Sequence, residues 1–331
     1  MRTIAVVNQK GGCGKTITSI NLAAFLARAR RRVLVVDMDP QGHATLGLVS
    51  GRVESSRTMH DVFLAKADQR TGLRDIICKA HQNLDVAPAD ILLSTVPETL
   101  AGTPGREDIL AGALAELEGS YDYIIIDCPP NVGLLTFNAL KACSEAIIPM
   151  DPSFFSLHGV GKLLETFDML AKDAGHEITP RVLVTLFLAR SPFVKAVVEE
   201  IHNHLPGQYF ETVIRHSVKL SEAASHGVPI VDYCRHCAGF EDYQALAAEV
   251  LQNGEGTSPE TITFANSIQT TLRKRIADRF DPHEKRLREA HRVLNKEKPD
   301  AETPSMEADP LVRALVEFDQ AQEQLGREEK R

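Results

Sequence analysis

Residues Lys10-Gly11-Gly12-Cys13-Gly14-Lys15-Thr16 follow directly on the apolar run Ile4-Ala5-Val6-Val7, and that junction decides the fold. A buried strand that turns through glycines into a helix is the geometry of a phosphate-binding loop. The glycines let backbone N–H groups turn inward around a polyphosphate, Lys15 supplies a point charge for its outer phosphates, and the Thr16 hydroxyl can complete a Mg²⁺ shell. The helix that starts here adds the positive end of its dipole. The general spacing G-x-x-x-x-G-K-[ST] wants glycine at Gln9, so only its second half is met. In its place Lys10 gives the loop a second lysine, one that cannot easily reach the loop's own nucleotide as Lys15 does.

Outward from the loop, strands and helices alternate. Thr3 to Val7 reads as a buried strand and Thr16 to Arg28 as a helix with apolar residues at helical spacing. Val33 to Asp37, Asn83 to Pro88, Tyr121 to Asp127, Glu145 to Met150, Arg181 to Phe187 and a segment around Glu211 to Ile214 read as further strands. Helices are expected over Asp108 to Leu117, Gly159 to Ala174 and Val194 to His204. All-apolar strands such as Val33 to Val36 belong to parallel sheets covered on both faces. The pattern predicts a doubly wound, mostly parallel α/β sheet of the P-loop NTPase type.

Ligands of such sheets bind at the carboxyl ends of the strands. Asp37 and Asp39 close one strand and Asp127 closes another, so three carboxylates face the phosphate loop along one edge. Thr16, Asp37 and Asp127 are the candidate Mg²⁺ ligands, Asp127 looking like a Walker B aspartate.

The sequence resembles the ParA/MinD family of deviant Walker A ATPases, closest to the short ParA-type partition ATPases. The resemblance rests on N-Q-K-G-G-C-G-K-T (8–16), N-L-A-A-F-L-A (21–27), D-M-D-P-Q-G-H-A-T (37–45), I-I-I-D-C-P-P (124–130), L-L-T-F-N-A-L (134–140) and L-S-E-A-A-S-H-G-V-P-I (220–230). It implies a weak Mg-ATPase that forms a homodimer with ATP, coats non-specific DNA and is stimulated by a ParB-like or cargo-adaptor protein, so as to position or segregate plasmid, chromosome or other cargo. By that resemblance Lys15 and Lys10 serve catalysis, Lys10 in trans on the partner's nucleotide, and Asp39 orients the attacking water. Gly11, Gly12, Cys13, Gly14 and Ile17 line the nucleotide with them, while Asp127 and the stretch from Pro129 sense the γ-phosphate. Ile17 stands where a second threonine is common, and Arg215-His216 where a Pro-Arg pair is frequent.

Composition sets limits. The net charge is −8, and the first 254 residues carry 29 acidic against 23 basic residues, so DNA contact would have to run through a local patch that is weak and salt-sensitive. Lys219, Arg215 and Lys195 are its candidates. The six cysteines show no disulfide-framework spacing, and a reducing compartment accounts for them. No apolar run is long enough for a membrane span and no signal peptide is read, so the expected location is cytoplasmic and nucleoid-associated, without membrane. Cys234-Arg235-His236-Cys237 is a single C-x-x-C pair without the second pair a zinc site needs.

The division expected is a P-loop ATPase domain over 1–254 and a charged extension over 255–331, opened by a Gly/Ser/Pro linker. In the extension, 268–294 reads as a charged helix, 296–310 as disordered, and 311–325 as a short final helix. Two other functions share the scaffold: a membrane-cycling positioning ATPase of the MinD type and a metabolic ATPase acting on a small molecule. The acids flanking the apolar face of 311–318 oppose the first, since anionic lipid would repel them.

Overall fold

The computed structural model describes residues 1–49, 57–64, 71–191, 194–195, 197–199, 201, 205 and 207–252. The charged extension, with its expected linker and helices, lies outside them, and the helix expected over 194–204 lies partly outside. The strands are β1 (Arg2–Val6), β2 (Val33–Asp37), β3 (Cys78–His81), β4 (Leu84–Ala87), β5 (Tyr123–Asp127), β6 (Glu145–Met150) and β7 (Thr179–Val184). Helix α1 (Lys15–Arg28) follows the phosphate loop, and α2 (His43–Val49) follows β2. Single turns α3 (Met59–Val62) and α4 (Val96–Thr99) precede α5 (Ile109–Ala115), α6 (Leu134–Ala142) and α7 (Phe154–Ala174). After β7 come α8 (Val218–Ser225), α9 (Ile230–Tyr233) and α10 (Ala238–Gln252).

The seven strands are ordered β3-β4-β2-β5-β1-β6-β7. All neighbours pair in parallel except the β3–β4 hairpin at the edge. The chain leaves β1 toward β2 on one side and later crosses to β6 and β7 on the other. The strand order therefore reverses around β1, the kind of switch point outside whose strand ends ligands of such sheets bind. Every residue of β2 and β5 is buried, as both-faces-covered strands require.

Two sequence readings are corrected. The segment around 211–214 is not a strand: isolated bridges on either side of it tie Tyr209 to Val182 of β7 and Arg215 to Phe187 beyond the end of β7. Strand β3 was not foreseen, because with Lys79 exposed and Ala80 and His81 half-buried it has too few buried apolar positions to show alternation.

Helix α1 lies at the centre of one layer. Its residues Leu22, Ala23 and Leu26 are fully buried among β1, β2 and α10. Helix α10 holds it by the Thr18–Tyr243 hydroxyl bond (3.1 Å) and the edge-on pair Phe25–Phe240 (5.0 Å between centroids). Where α10 crosses α8, Gly239 leaves no room: a Cβ there would stand 2.6 Å from Leu220 Cγ and 2.8 Å from Cδ2. Gly239→Ala should therefore destabilise by about 1–3 kcal/mol through overpacking. Urea unfolding of both single variants and of Gly239→Ala/Leu220→Ala checks this; the double variant should lose less than the two single losses added together, and simple additivity would refute the packing account.

Candidate functional site

The phosphate loop is built on two left-handed glycines, Gly12 (φ 73°) and Gly14 (φ 89°), a conformation that costs other residues and turns successive N–H groups to one side. The loop is anchored from outside. Asn8, 2% exposed, donates through Nδ2 to Pro149 O (2.7 Å) and accepts from Lys10 N (3.0 Å), and the Thr185 hydroxyl donates to Cys13 O (2.8 Å). Gly11 and Gly12 are exposed at the crest, whereas Cys13 is buried beneath it. Lys15 is 7% exposed and its Nζ reaches across the loop to Lys10 O (3.1 Å). Ile17 packs half-buried against the hydrophobic core.

Parallel register places Val6, Asp127 and Asp37 side by side at the carboxyl ends of β1, β5 and β2. Asp127 is fully buried, and each of its oxygens accepts from the first turns of α1: Thr16 Oγ1 to Oδ2 (2.8 Å) and Ser19 Oγ to Oδ1 (2.7 Å). Asp37, also fully buried, accepts from Thr45 N (2.8 Å), Thr45 Oγ1 (2.7 Å) and Asp39 N (3.1 Å). Those bonds hold α2 against the sheet. Asp39, 7% exposed, accepts from Gln41 N (2.9 Å), and Pro129 is buried just past Asp127.

Burial pushes both buried carboxyls up, Asp37 to about 6 and Asp127 to about 8, the latter also by repulsion from Asp37. A divalent cation would relieve that cost. Among the described residues no three His, Cys, Asp or Glu side chains converge into a metal cage. Mg²⁺ needs no such cage, since it takes one or two protein oxygens and completes its shell with phosphates and water. Thr16 with Asp127 fits such a role, and the left-handed glycine loop with Lys15 fits a polyphosphate.

Lys10 sits differently from Lys15. Its side chain is 40% exposed, on the outer rim, and its Nζ donates to both oxygens of Asp151 (2.9 Å each), to Ser153 Oγ and to Ser156 Oγ (3.2 Å each). Burial alone would raise the Asp151 carboxyl, but the hydrogen bonds from Lys10, Ser156 and Ser153 outweigh it and hold it low. The sequence reading missed this cradle, as it missed Asn8, Ser19 and Thr45. Two signals were present: Asp151 directly follows β6 as Asp127 ends β5, and Ser19 lies one turn beyond Thr16 on the same helix face.

The three candidate DNA contacts are placed unequally. Arg215 is closed by Asp242 (Nε to Oδ1, 2.9 Å) and Glu241 (2.8 Å), and its pKa is raised by those bonds. Lys219 pairs with Glu222 (2.7 Å) and stands 5.8 Å from the Tyr233 ring. Lys195 is exposed and makes no ion pair among the described residues.

A glycine loop between a central parallel strand and its helix, with buried carboxylates at the neighbouring strand ends, defines a P-loop nucleotide-binding protein. A family model described as an AAA domain matches residues 1–179. The chain is 42% identical over 255 residues to the sporulation initiation inhibitor protein Soj of Bacillus subtilis, covering 76% of this chain and 99% of that one. It is 39% identical over 260 residues to the chromosome partitioning protein ParA of Myxococcus xanthus, covering 78% and 90%. The chain belongs to the ParA/MinD family of P-loop ATPases. Among solved structures it resembles the septum site-determining protein MinD of Pyrococcus horikoshii complexed with Mg-ADP (27% identity, TM-score 0.62, 78% of this chain and 99% of that one). It also resembles cobyrinic acid a,c-diamide synthase of Mycobacterium smegmatis with bound ATP analogue and magnesium (28%, TM-score 0.65, 79% and 100%).

The buried carboxyls set a pH dependence. Their folded pKa values lie above the unfolded 3.8, so the folded state holds more protons between about pH 4 and pH 8. Their contribution to stability is complete below about pH 4 and is lost as pH rises through about 8. Asp127→Asn should flatten this decline by roughly 1–3 kcal/mol when neither nucleotide nor Mg²⁺ is added. Urea unfolding at a series of pH values measures it; an unchanged slope would place the protonation elsewhere.

Proposed function

We propose that this ATPase takes ATP with Mg²⁺, dimerises around the bound nucleotides, and positions or segregates DNA or another large cargo with a partner protein. The observation that carries this reading is the division between the two loop lysines: Lys15 is buried against its own loop, while Lys10 is half-exposed and faces outward. A cation needed only for its own nucleotide has no reason to sit on the rim. The ion pair that holds Lys10 is partly solvated and worth about 0.2–1 kcal/mol, so a second subunit's phosphates can outbid it.

In this reading Gly11 to Ile17 wrap the phosphates and Lys15 offsets their charge. Thr16 and Asp127 hold Mg²⁺, which neutralises the oxygens that gain charge in the transition state. Asp37 braces the turn that carries Asp39. Asp39, ordered by Gln41 N, holds and orients the attacking water. Asp127, bonded to Thr16 and Ser19, connects the metal position to Pro129 and the residues after it, so that loss of the γ-phosphate loosens the dimer. The similarity to partition ATPases supports DNA as the surface and cytoplasm as the compartment, with a ParB-like or adaptor protein as the stimulator. DNA contact runs through Lys195 and Lys219, with Arg215 contributing less because two carboxylates neutralise it.

The likeness to a diamide synthase supports one rival, a metabolic ATPase. Turnover stimulated by duplex DNA and a partner protein favours the first reading, and turnover that responds only to a small acid overturns it.

Lys15→Ala should weaken ATP binding on the order of 100-fold. Lys10→Ala should keep ATP affinity within about threefold yet lose the ATP-dependent dimer. Titration calorimetry and sedimentation separate the two, and a normal Lys10→Ala dimer refutes the trans role. Asp39→Ala should lower turnover roughly 100-fold with ATP still bound, because a water-orienting carboxylate acts in the transition state; lost ATP binding would instead make it a structural or metal residue.

The charged extension, with eight basic residues between Arg273 and Arg292, would add phosphate contacts that the acidic core lacks. Truncation after Gly254 should leave ATP binding intact, weaken duplex-DNA affinity and flatten its dependence on salt. Anisotropy with a labelled duplex at several salt concentrations tests this, and an unchanged slope excludes the extension.

A further inference from the structure

Cys13, Cys78, Cys128 and Cys143 are buried, whereas Cys234 and Cys237 are half-buried at the surface and have no part in the nucleotide chemistry. The turn between them folds back on itself. Cys234 closes α9, its N–H donating to Ile230 O (2.9 Å), and Cys237 immediately precedes α10, whose Phe240 N–H donates to Cys237 O (3.0 Å). Across that turn Cys237 Sγ donates to Cys234 O (3.2 Å). That bond holds the Cys237 thiol over the backbone of Cys234, and burial raises the Cys237 thiol. Tyr233 immediately precedes Cys234, its hydroxyl donates to Glu222 (2.8 Å), and Lys219 Nζ stands 5.8 Å from its ring.

We propose that Cys234 and Cys237 form a reversible dithiol–disulfide site that reacts with small-molecule disulfides. The Cys234 thiolate attacks one sulfur of the small disulfide, whose S–S bond breaks and whose other half leaves as a thiolate and takes up a proton. Cys237 then gives its proton to solvent and attacks Cys234 Sγ in the mixed disulfide, expelling the second small thiol. Two cysteine thiols are oxidised and one small disulfide is reduced to two thiols. In a reducing compartment such a bond forms transiently and reports the redox state.

The position gives the bond a consequence. Helix α9 is tied to α1 by Ile230 N–H donating to Asn21 Oδ1 (2.7 Å), and α10 by Tyr243 to Thr18 and Phe240 against Phe25. The disulfide would staple together the two elements that clamp the phosphate-loop helix.

The test uses the full-length reduced chain incubated with oxidised glutathione, followed by alkylation and peptide mass mapping. The expected result is a Cys234–Cys237 disulfide, two hydrogens lighter, that dithiothreitol reverses, with the four buried cysteines still alkylated as thiols. The oxidised chain should melt a few degrees higher than the reduced one, because a cross-link restricts the unfolded chain. Cys237→Ser should stop at a glutathione adduct on Cys234, and Cys234→Ser should give no rapid reaction. The map of the unsubstituted chain decides the matter even if a variant misfolds. The proposal is overturned if both thiols survive the oxidant in the folded chain, if the unsubstituted chain stops at a stable adduct, or if Cys234 pairs with a different cysteine.

Discussion

Five consecutive parallel pairings hold Asp37 of β2 level with Asp127 of β5, and Asp127 level with Val6 of β1, and every feature of the nucleotide site depends on that register. A slip of one residue would move Asp127 by about 3.3 Å and turn it to the other face of the sheet. Held in register, it lies under the first turns of α1, where Thr16 and Ser19 each reach one of its oxygens. The fold thereby keeps two carboxyls fully buried at neighbouring strand ends, a disposition that disfavours their charged forms. A protein selected for stability alone would not keep it. Here the cost marks where a cation and a polyphosphate belong.

The loop separates two cations that are chemically alike. Lys15 begins α1, so its direction is fixed by the helix and its side chain is buried. Lys10 precedes the glycines and points away, into the cradle formed by Asp151, Ser153 and Ser156 where β6 passes into α7. One lysine is preorganised for its own loop. The other is held by bonds weak enough to exchange, which is what a residue serving a second subunit requires.

Helix α1 also packs against the helices beside it. Thr18, Asn21 and Phe25 each contact α9 or α10, so the turn at Cys234 and Cys237 lies one packing step from the phosphate loop. Any change that stiffens that turn acts on the helix whose first residues hold Asp127. The same region carries Arg215, whose charge is balanced by Asp242 and Glu241, and Lys219, whose one pair with Glu222 is solvated.

Local chemistry was legible in the sequence. The loop, β2, β6 and the carboxylates closing β2 and β5 could be read directly, because a glycine turn, an all-apolar strand and a terminal aspartate each declare themselves within a few residues. The short strand β3 and the bridged segment near 211–214 could not, since their pairing depends on neighbours rather than on their own pattern. Side-chain partnerships were equally hidden. Asp151 reaches Lys10 across 141 positions and Asp242 reaches Arg215 across 27, so what each cation is free to do was settled only by tertiary structure. The sequence by itself determined that the chain carries phosphate-binding chemistry on a parallel sheet, because that chemistry is contiguous. Which lysine is buried, which faces out and which basic residues are already neutralised was decided only when packing brought distant carboxylates within hydrogen-bonding distance.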